Sequence, residues 1–140
     1  MKHNAVPVNI GLLESVLDAT PDGISVLEPN LNIVWRNATM RKWYPRSEPS
    51  NGFKCYQLYH LSNHPCRDCP VIRSLESGKL SMEIVPLPKT QQGAGWVELY
   101  AFPLLNATGV SIGAVEYVRN ITDRVTIEQE LRKTLITTQG

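Results

Sequence analysis

Trp96-Val97-Glu98-Leu99-Tyr100-Ala101-Phe102-Pro103-Leu104-Leu105 alternates residue by residue, with Val97, Leu99 and Ala101 on one side and Trp96, Glu98, Tyr100 and Phe102 on the other. A period of two is the signature of a strand with one buried face. Asn106-Ala107-Thr108-Gly109 follows, and its composition is that of a tight turn. Val110–Arg119 is then a second run of β-formers, so the two runs are expected to pair as an antiparallel hairpin. Working back, Leu80–Leu87 is a third strand bounded by Pro86 and Pro88, joined to the first by a loop containing Gly93-Ala94-Gly95.

Outward from this meander the chain repeats the logic on a smaller scale. Ile10, Leu13, Val16 and Leu17 recur at helical spacing with Glu14 and Asp18 opposite, and Thr20-Pro21-Asp22-Gly23 ends that helix. Gly23–Glu28 and Asn32–Arg36 flank the turn Pro29-Asn30-Leu31-Asn32, which predicts a second hairpin. Asn37 is a good N-cap for a short helix, and Pro45 to Gly52 is a polar break. Phe53–His60 reads as a turn or two of helix. Cys66–Ser77 reads as a longer one with Val71, Ile72 and Leu75 on its apolar side and Gly78 beyond its end. From Asp123 helix formers return, with Ile127, Leu131 and Leu135 four residues apart.

Helix, two strands, helices, three strands, helix: this order predicts an α+β fold. One five-stranded antiparallel sheet carries the middle helices on one face, with N-terminal and C-terminal flanking helices. The expected division is a tail at 1–9, a domain at 10–122 and a C-terminal helix at 123–140 that stops short at Gly140. Val71, Leu75, Val97, Leu99 and Val115 are expected between the long helix and the sheet, where they would line a pocket.

The bulk numbers agree with a single small domain. The chain has 140 residues, 42% of them hydrophobic, and a formal charge of +1, so no basic field points to nucleic acid. No run approaches the roughly 18 to 20 apolar residues of a membrane span. A secretory leader is not apparent, and the chain is read as cytoplasmic. Asn37-Ala38-Thr39, Asn106-Ala107-Thr108 and Asn120-Ile121-Thr122 match the glycosylation pattern, but each Asn has a cap or turn to explain it. Glu98 and Glu116, on adjacent strands, are candidates for a carboxylate pair, although both are expected on the solvent face or toward the leading helix. Trp35, Trp43 and Trp96 are read as packing residues. Nothing in the sequence supports catalysis.

All three cysteines fall within 53–70, in the pattern C-x4-H-x3-H-x-C-x2-C. An odd number does not suit a secreted disulfide framework. Zinc takes four N or S ligands in a tetrahedron, and Cys55, His60, Cys66 and Cys69 offer a Cys3His set. An iron–sulfur cluster is a second metal reading, although it usually takes four cysteines. Cys66 and Cys69 at a helix start would also favour thiolate. The other readings are a disulfide, a Cys66-x-x-Cys69 redox protein, or three reduced thiols in the packing. His64 is extra to the set, and His3 has no role.

At this point the chain resembles a PAS domain, the sensor module of bacterial and archaeal signalling proteins, over roughly residues 11 to 125. Leu13 to Ile24 is similar to the family's leading helix and first strand, and Ile33-Val34-Trp35-Arg36-Asn37-Ala38 to its second strand. Gly95–Leu104 and Gly113–Val118 are similar to its last two strands, and Asn120-Ile121-Thr122-Asp123-Arg124 to its D-I-T-E-R junction with a signalling helix. Asn120 stands where that junction usually has aspartate, keeping a hydrogen bond but not an ion pair. Cys55, Tyr56, His60, Cys66, Cys69 and Pro70 meet the C-Y-x3-H-x5-C-x2-C-P insert of a subset of these domains.

The resemblance implies a sensing and dimerising module of a two-component histidine kinase, with phosphorelay as the output. A diguanylate cyclase or transcription regulator is the alternative output. It also implies a small-molecule ligand of unknown identity and a homodimer through the terminal helices. One apolar stripe is expected to cover the sheet's outer face and the other to meet a second chain.

Overall fold

The computed structural model describes residues 9–45, 53–87 and 95–139. Most of the tail at 1–9, the break after Pro45 and the loop before Gly95 lie outside the described residues, as does His3. Asn9 does not belong to the tail. Its side chain accepts the Leu12 N–H at 2.8 Å and caps α1, Ile10–Ala19. There follow β1 (Gly23–Leu27), β2 (Ile33–Arg36), α2 (Ala38–Trp43), α3 (Cys55–His60), α4 (Pro70–Ser77), β3 (Ser81–Leu87), β4 (Gly95–Leu105), β5 (Ser111–Asn120) and α5 (Thr122–Gln139).

The sheet is five-stranded and antiparallel, in the order β2-β1-β5-β4-β3. The two hairpins thus join through β1 and β5, where Gly23 pairs with Val118 and Leu27 with Ala114. Gly113 permits this junction, because a Cβ there would stand 2.4 Å from the Leu27 carbonyl oxygen. Helices α2, α3 and α4 cover one face, over a core that includes Leu27, Ile33, Met40, Leu58, Tyr59, Val71, Val97, Leu99, Ala101 and Val118. Burying each large member contributes on the order of 1.5–3 kcal/mol.

The helices differ from expectation in two respects. α4 begins at Pro70, with Cys69 as its N-cap residue and Cys66 outside it. Proline at the first helical position loses no hydrogen bond, so Pro70 rather than Pro65 sets the start. Neither terminal stripe covers the sheet. α1 buries no residue and is fixed at its C-terminal end, where Asn37 Nδ2 donates to the Leu17 carbonyl at 2.7 Å and Ala38 N–H donates to Asp18 at 2.8 Å. Ile127, Leu131 and Leu135 of α5 are likewise exposed, as are Met82, Ile84 and Trp96 of the outer face.

The three glycosylation-like asparagines all serve the backbone. Asn37 is fully buried, Asn106 Oδ1 accepts from Val110 N–H at 3.0 Å in the hairpin turn, and Asn120 Oδ1 accepts from Thr122 N–H at 2.9 Å at the start of α5.

Candidate ligand cavity

The cavity forms because α3 and α4 do not close completely on the sheet. α3 is tied to β2 by Ile33 N–H donating to the Phe53 carbonyl (2.9 Å) and Cys55 N–H to the Leu31 carbonyl (3.0 Å). Tyr59 shares a 2.6 Å hydrogen bond with Ser25, and its ring leans on Tyr44 at 4.9 Å. Between α3 and α4 the chain turns at Asp68, in the left-handed region (φ 53°) that a short polar residue tolerates. Arg73 holds this turn, reaching Asp68 at 2.9 Å, Ser81 Oγ at 3.1 Å and Glu83 at 3.6 Å.

These constraints leave a space of about 120 Å3 between the two helices and strands β3 to β5. Cys55, His60, Cys66 and Cys69 all face it, together with Val71, Val85, Leu99, Glu83, Arg67 and Glu116. The sequence pattern therefore converges on one place. Among the described residues, however, no three His, Cys, Asp or Glu side chains stand close enough to hold a metal ion. The thiols are not activated either. Burial pushes Cys55 far above the usual thiol range and raises Cys66 and Cys69, outweighing the helix start that was expected to favour thiolate. Burial also lowers His60, which favours its neutral form.

The five expected pocket residues separate. Val71 and Leu99 line the cavity, Val97 lines a smaller recess beside it with Leu99, Met40 and Tyr59, and Leu75 packs partly buried against the core. Val115 corrects the expectation. It pairs with Phe102 on one side and Val26 on the other, on the face opposite Leu99 and Ala101. The residue that β5 turns inward is Glu116, between Ser25 and Ala101.

Glu116 and Glu98 consequently stand on opposite faces and form no pair. Glu98, on the outer face, accepts the Tyr100 hydroxyl at 2.7 Å and meets Arg124 at 3.4 Å; the Tyr100 hydrogen bond chiefly holds its carboxyl below the ordinary value. Glu116 is 5% exposed. Burial alone raises it, to about 7. Parity in β5 gives no signal for this: Ala114 and Val118 flank Glu116 on one face, and Gly113, Val115 and Tyr117 make an equally apolar run on the other.

The outer face also carries the exit. Trp96 N–H donates to Thr122 Oγ1 (3.1 Å), Ile121 N–H to the Trp96 carbonyl (2.9 Å), and Arg124 pairs with Glu98, so the start of α5 is fastened to β4. Gly95 makes room for it, since a Cβ there would fall 2.2 Å from Thr122 Oγ1.

A small antiparallel sheet with helices on one face, a pocket beneath them and an exit helix pinned to the other face is the arrangement of a sensory module. The profile of the PAS fold matches residues 17–126, and the chain belongs to that family. Among solved structures it is similar to an RNA-binding light-oxygen-voltage receptor, at 19% identity and a TM-score of 0.71. That match covers 91% of this chain and only 37% of the receptor's. It is also similar to a PAS domain from Colwellia psychrerythraea, at 20% identity and a TM-score of 0.61, covering 81% of this chain and 98% of that one. The PAS domain of nitrogen regulation protein NR(II) from Vibrio parahaemolyticus matches at 18% identity and a TM-score of 0.61, covering 79% and 98%. At these identities the likeness is one of fold. No curated protein matches the sequence. No helix among the described residues is long and apolar enough to cross a membrane.

Proposed function

We propose that this chain is the cytoplasmic input domain of a two-component sensor histidine kinase, in which the state of the cavity is passed through the sheet to α5 and across a homodimer. The observation that carries it is the connection of cavity to exit. Leu99 lines the cavity and Glu98, the next residue of β4, holds Arg124 of α5 from the other face. A shift of β4 under a ligand thus moves the start of α5 directly. The kinase output rests on the resemblance to the family, and the 120–124 junction supports only the link from sheet to signalling helix.

The intact parent protein is expected to label itself from ATP with phosphate that is labile in acid and stable in base. Absence of that label, or a label stable in acid, overturns the kinase reading. Two structural neighbours are described as an RNA-binding receptor and a VqmA–ligand–DNA complex, so the fold gives no ground for excluding nucleic acid as the parent's target.

The dimer follows from what α1, α5 and the outer face leave uncovered. Isolated helices of this length are marginal in water and need a partner surface. A stripe as short as Ile127, Leu131 and Leu135 supports only weak pairing. Analytical ultracentrifugation is expected to show a concentration-dependent dimer for the wild type and a monomer for Leu131→Glu. A wild type that stays monomeric at high concentration removes this route.

A further inference from the structure

Glu116 is out of place in a pocket of this kind. The residue is 5% exposed, it lines the cavity, and among the described residues its carboxyl makes no hydrogen bond and no ion pair. The other charged groups on the cavity wall are accounted for. Glu83 has Arg73 as its partner, and Arg67 is an exposed side chain that makes no ion pair with Glu116. His60 is held toward its neutral form by burial. The thiols of Cys55, Cys66 and Cys69 are held protonated and bring no positive charge.

A carboxylate desolvated to this degree costs several kcal/mol unless a cation or a set of donors meets it. Among the described residues neither meets it, the buried Arg36 guanidinium beyond Ser25 donating to the Tyr44 carbonyl (2.7 Å), so the space in front of it is where a counter-charge belongs. The remaining wall is apolar, through Val71, Val85 and Leu99. A cavity of about 150 Å3 takes a benzene-sized guest, and this one is about 120 Å3.

We infer that the cavity beneath α3 and α4 binds a small organic cation, a protonated amine on an apolar body of about half a dozen heavy atoms, with the Glu116 carboxylate as its counter-ion. The inference rests on the sensory reading above and names the class of ligand that reading leaves open. The amine would donate to Glu116 while its body lies against Leu99 and Val71. Ligand charge would then be reported on β5, the strand that leads into α5.

The test uses cyclopentylamine and its neutral counterpart cyclopentanol, titrated into the wild type and Glu116→Gln. Calorimetry gives the affinity, and the amide resonances of Val71, Leu99 and Glu116 (or Gln at that position) locate the site. The amine is expected to bind the wild type at least about tenfold more tightly than the alcohol, with the preference lost in Glu116→Gln. Glu116→Gln should remain folded, since the amide removes a buried charge without changing shape. Equal binding of the two probes to the wild type, or a preference that survives in Glu116→Gln, overturns the counter-ion role and leaves the pocket standing. Failure of both probes to move those amides overturns the pocket as well. Stoichiometric zinc carried through anaerobic purification and lost in Cys66→Ser would overturn the inference in favour of a metal held by the thiols.

Discussion

Asn37→Ala is expected to destabilise the domain by about 3–5 kcal/mol, a large share of the 5–15 kcal/mol that holds a typical domain folded. Asn37 is fully buried, and its amide meets four backbone groups. Nδ2 donates to the carbonyls of Leu17 (2.7 Å) and Asp22 (3.0 Å), and Oδ1 accepts from the N–H groups of Ile24 (2.9 Å) and Met40 (3.0 Å). Alanine removes an N-cap, worth roughly 0.5–2 kcal/mol. It also strands buried polar groups at roughly 1–3 kcal/mol each, less whatever water recovers. Asn37→Asp should not rescue, because it keeps the acceptor but turns an oxygen toward two carbonyl oxygens. Urea denaturation measures both; a loss below about 1 kcal/mol would show that the amide is not the joint between α1, β1 and α2.

The second large effect is on pH dependence. A carboxyl raised from its ordinary 4.5 to about 7 keeps its proton in the folded state after the unfolded chain has released it. The folded form then binds more protons than the unfolded, so stability falls as pH rises from about 4.5 to 7 and levels above that. At 1.36 kcal/mol per pKa unit the change is about 3 kcal/mol. His60, lowered by burial, acts oppositely: stability rises with pH until the unfolded imidazole has lost its proton. Glu98, also lowered, contributes stability that is lost on acidification. Subtracting the Glu116→Gln curve from the wild type cancels both. Glu116→Gln should gain on the wild type by about 3 kcal/mol between pH 4.5 and 7.5, as followed by thermal or urea unfolding. A difference that does not vary with pH would mean that Glu116 is solvated.

Much of this fold was legible because its signals are local. The period of two from Trp96 to Leu105, the turn at Asn106–Gly109 and the N-cap at Asn37 each act within a few residues, and each stands where the sequence places it. The convergence of Cys55, His60, Cys66 and Cys69 on one cavity was legible as spacing. What they could hold there was not, since that depends on distances set by the Asp68 turn and by Arg73, which ties that turn to β3. β5 was misread for a related reason. Gly113, Ala114, Val115 and Glu116 are all buried, one face by helices and the other by neighbouring strand side chains, so burial no longer alternates and periodicity cannot choose the face. The register with β1 and β4 chooses it, and register is a long-range property. The same limit hid Glu116, whose chemistry is invisible until the strand is paired.

The pairing of Gly23 with Val118 places the beginning of β1 beside the end of β5. Chain therefore enters from α1 and leaves into α5 at one end of the sheet's interior strands, which are neighbours and run in opposite directions. Pulling α1 and α5 apart would load that seam at its end, peeling its hydrogen bonds one after another instead of shearing them all together. The domain is thus mechanically soft to tension between its two helices, while a sideways displacement or twist of one against the other meets the full stiffness of the paired strands.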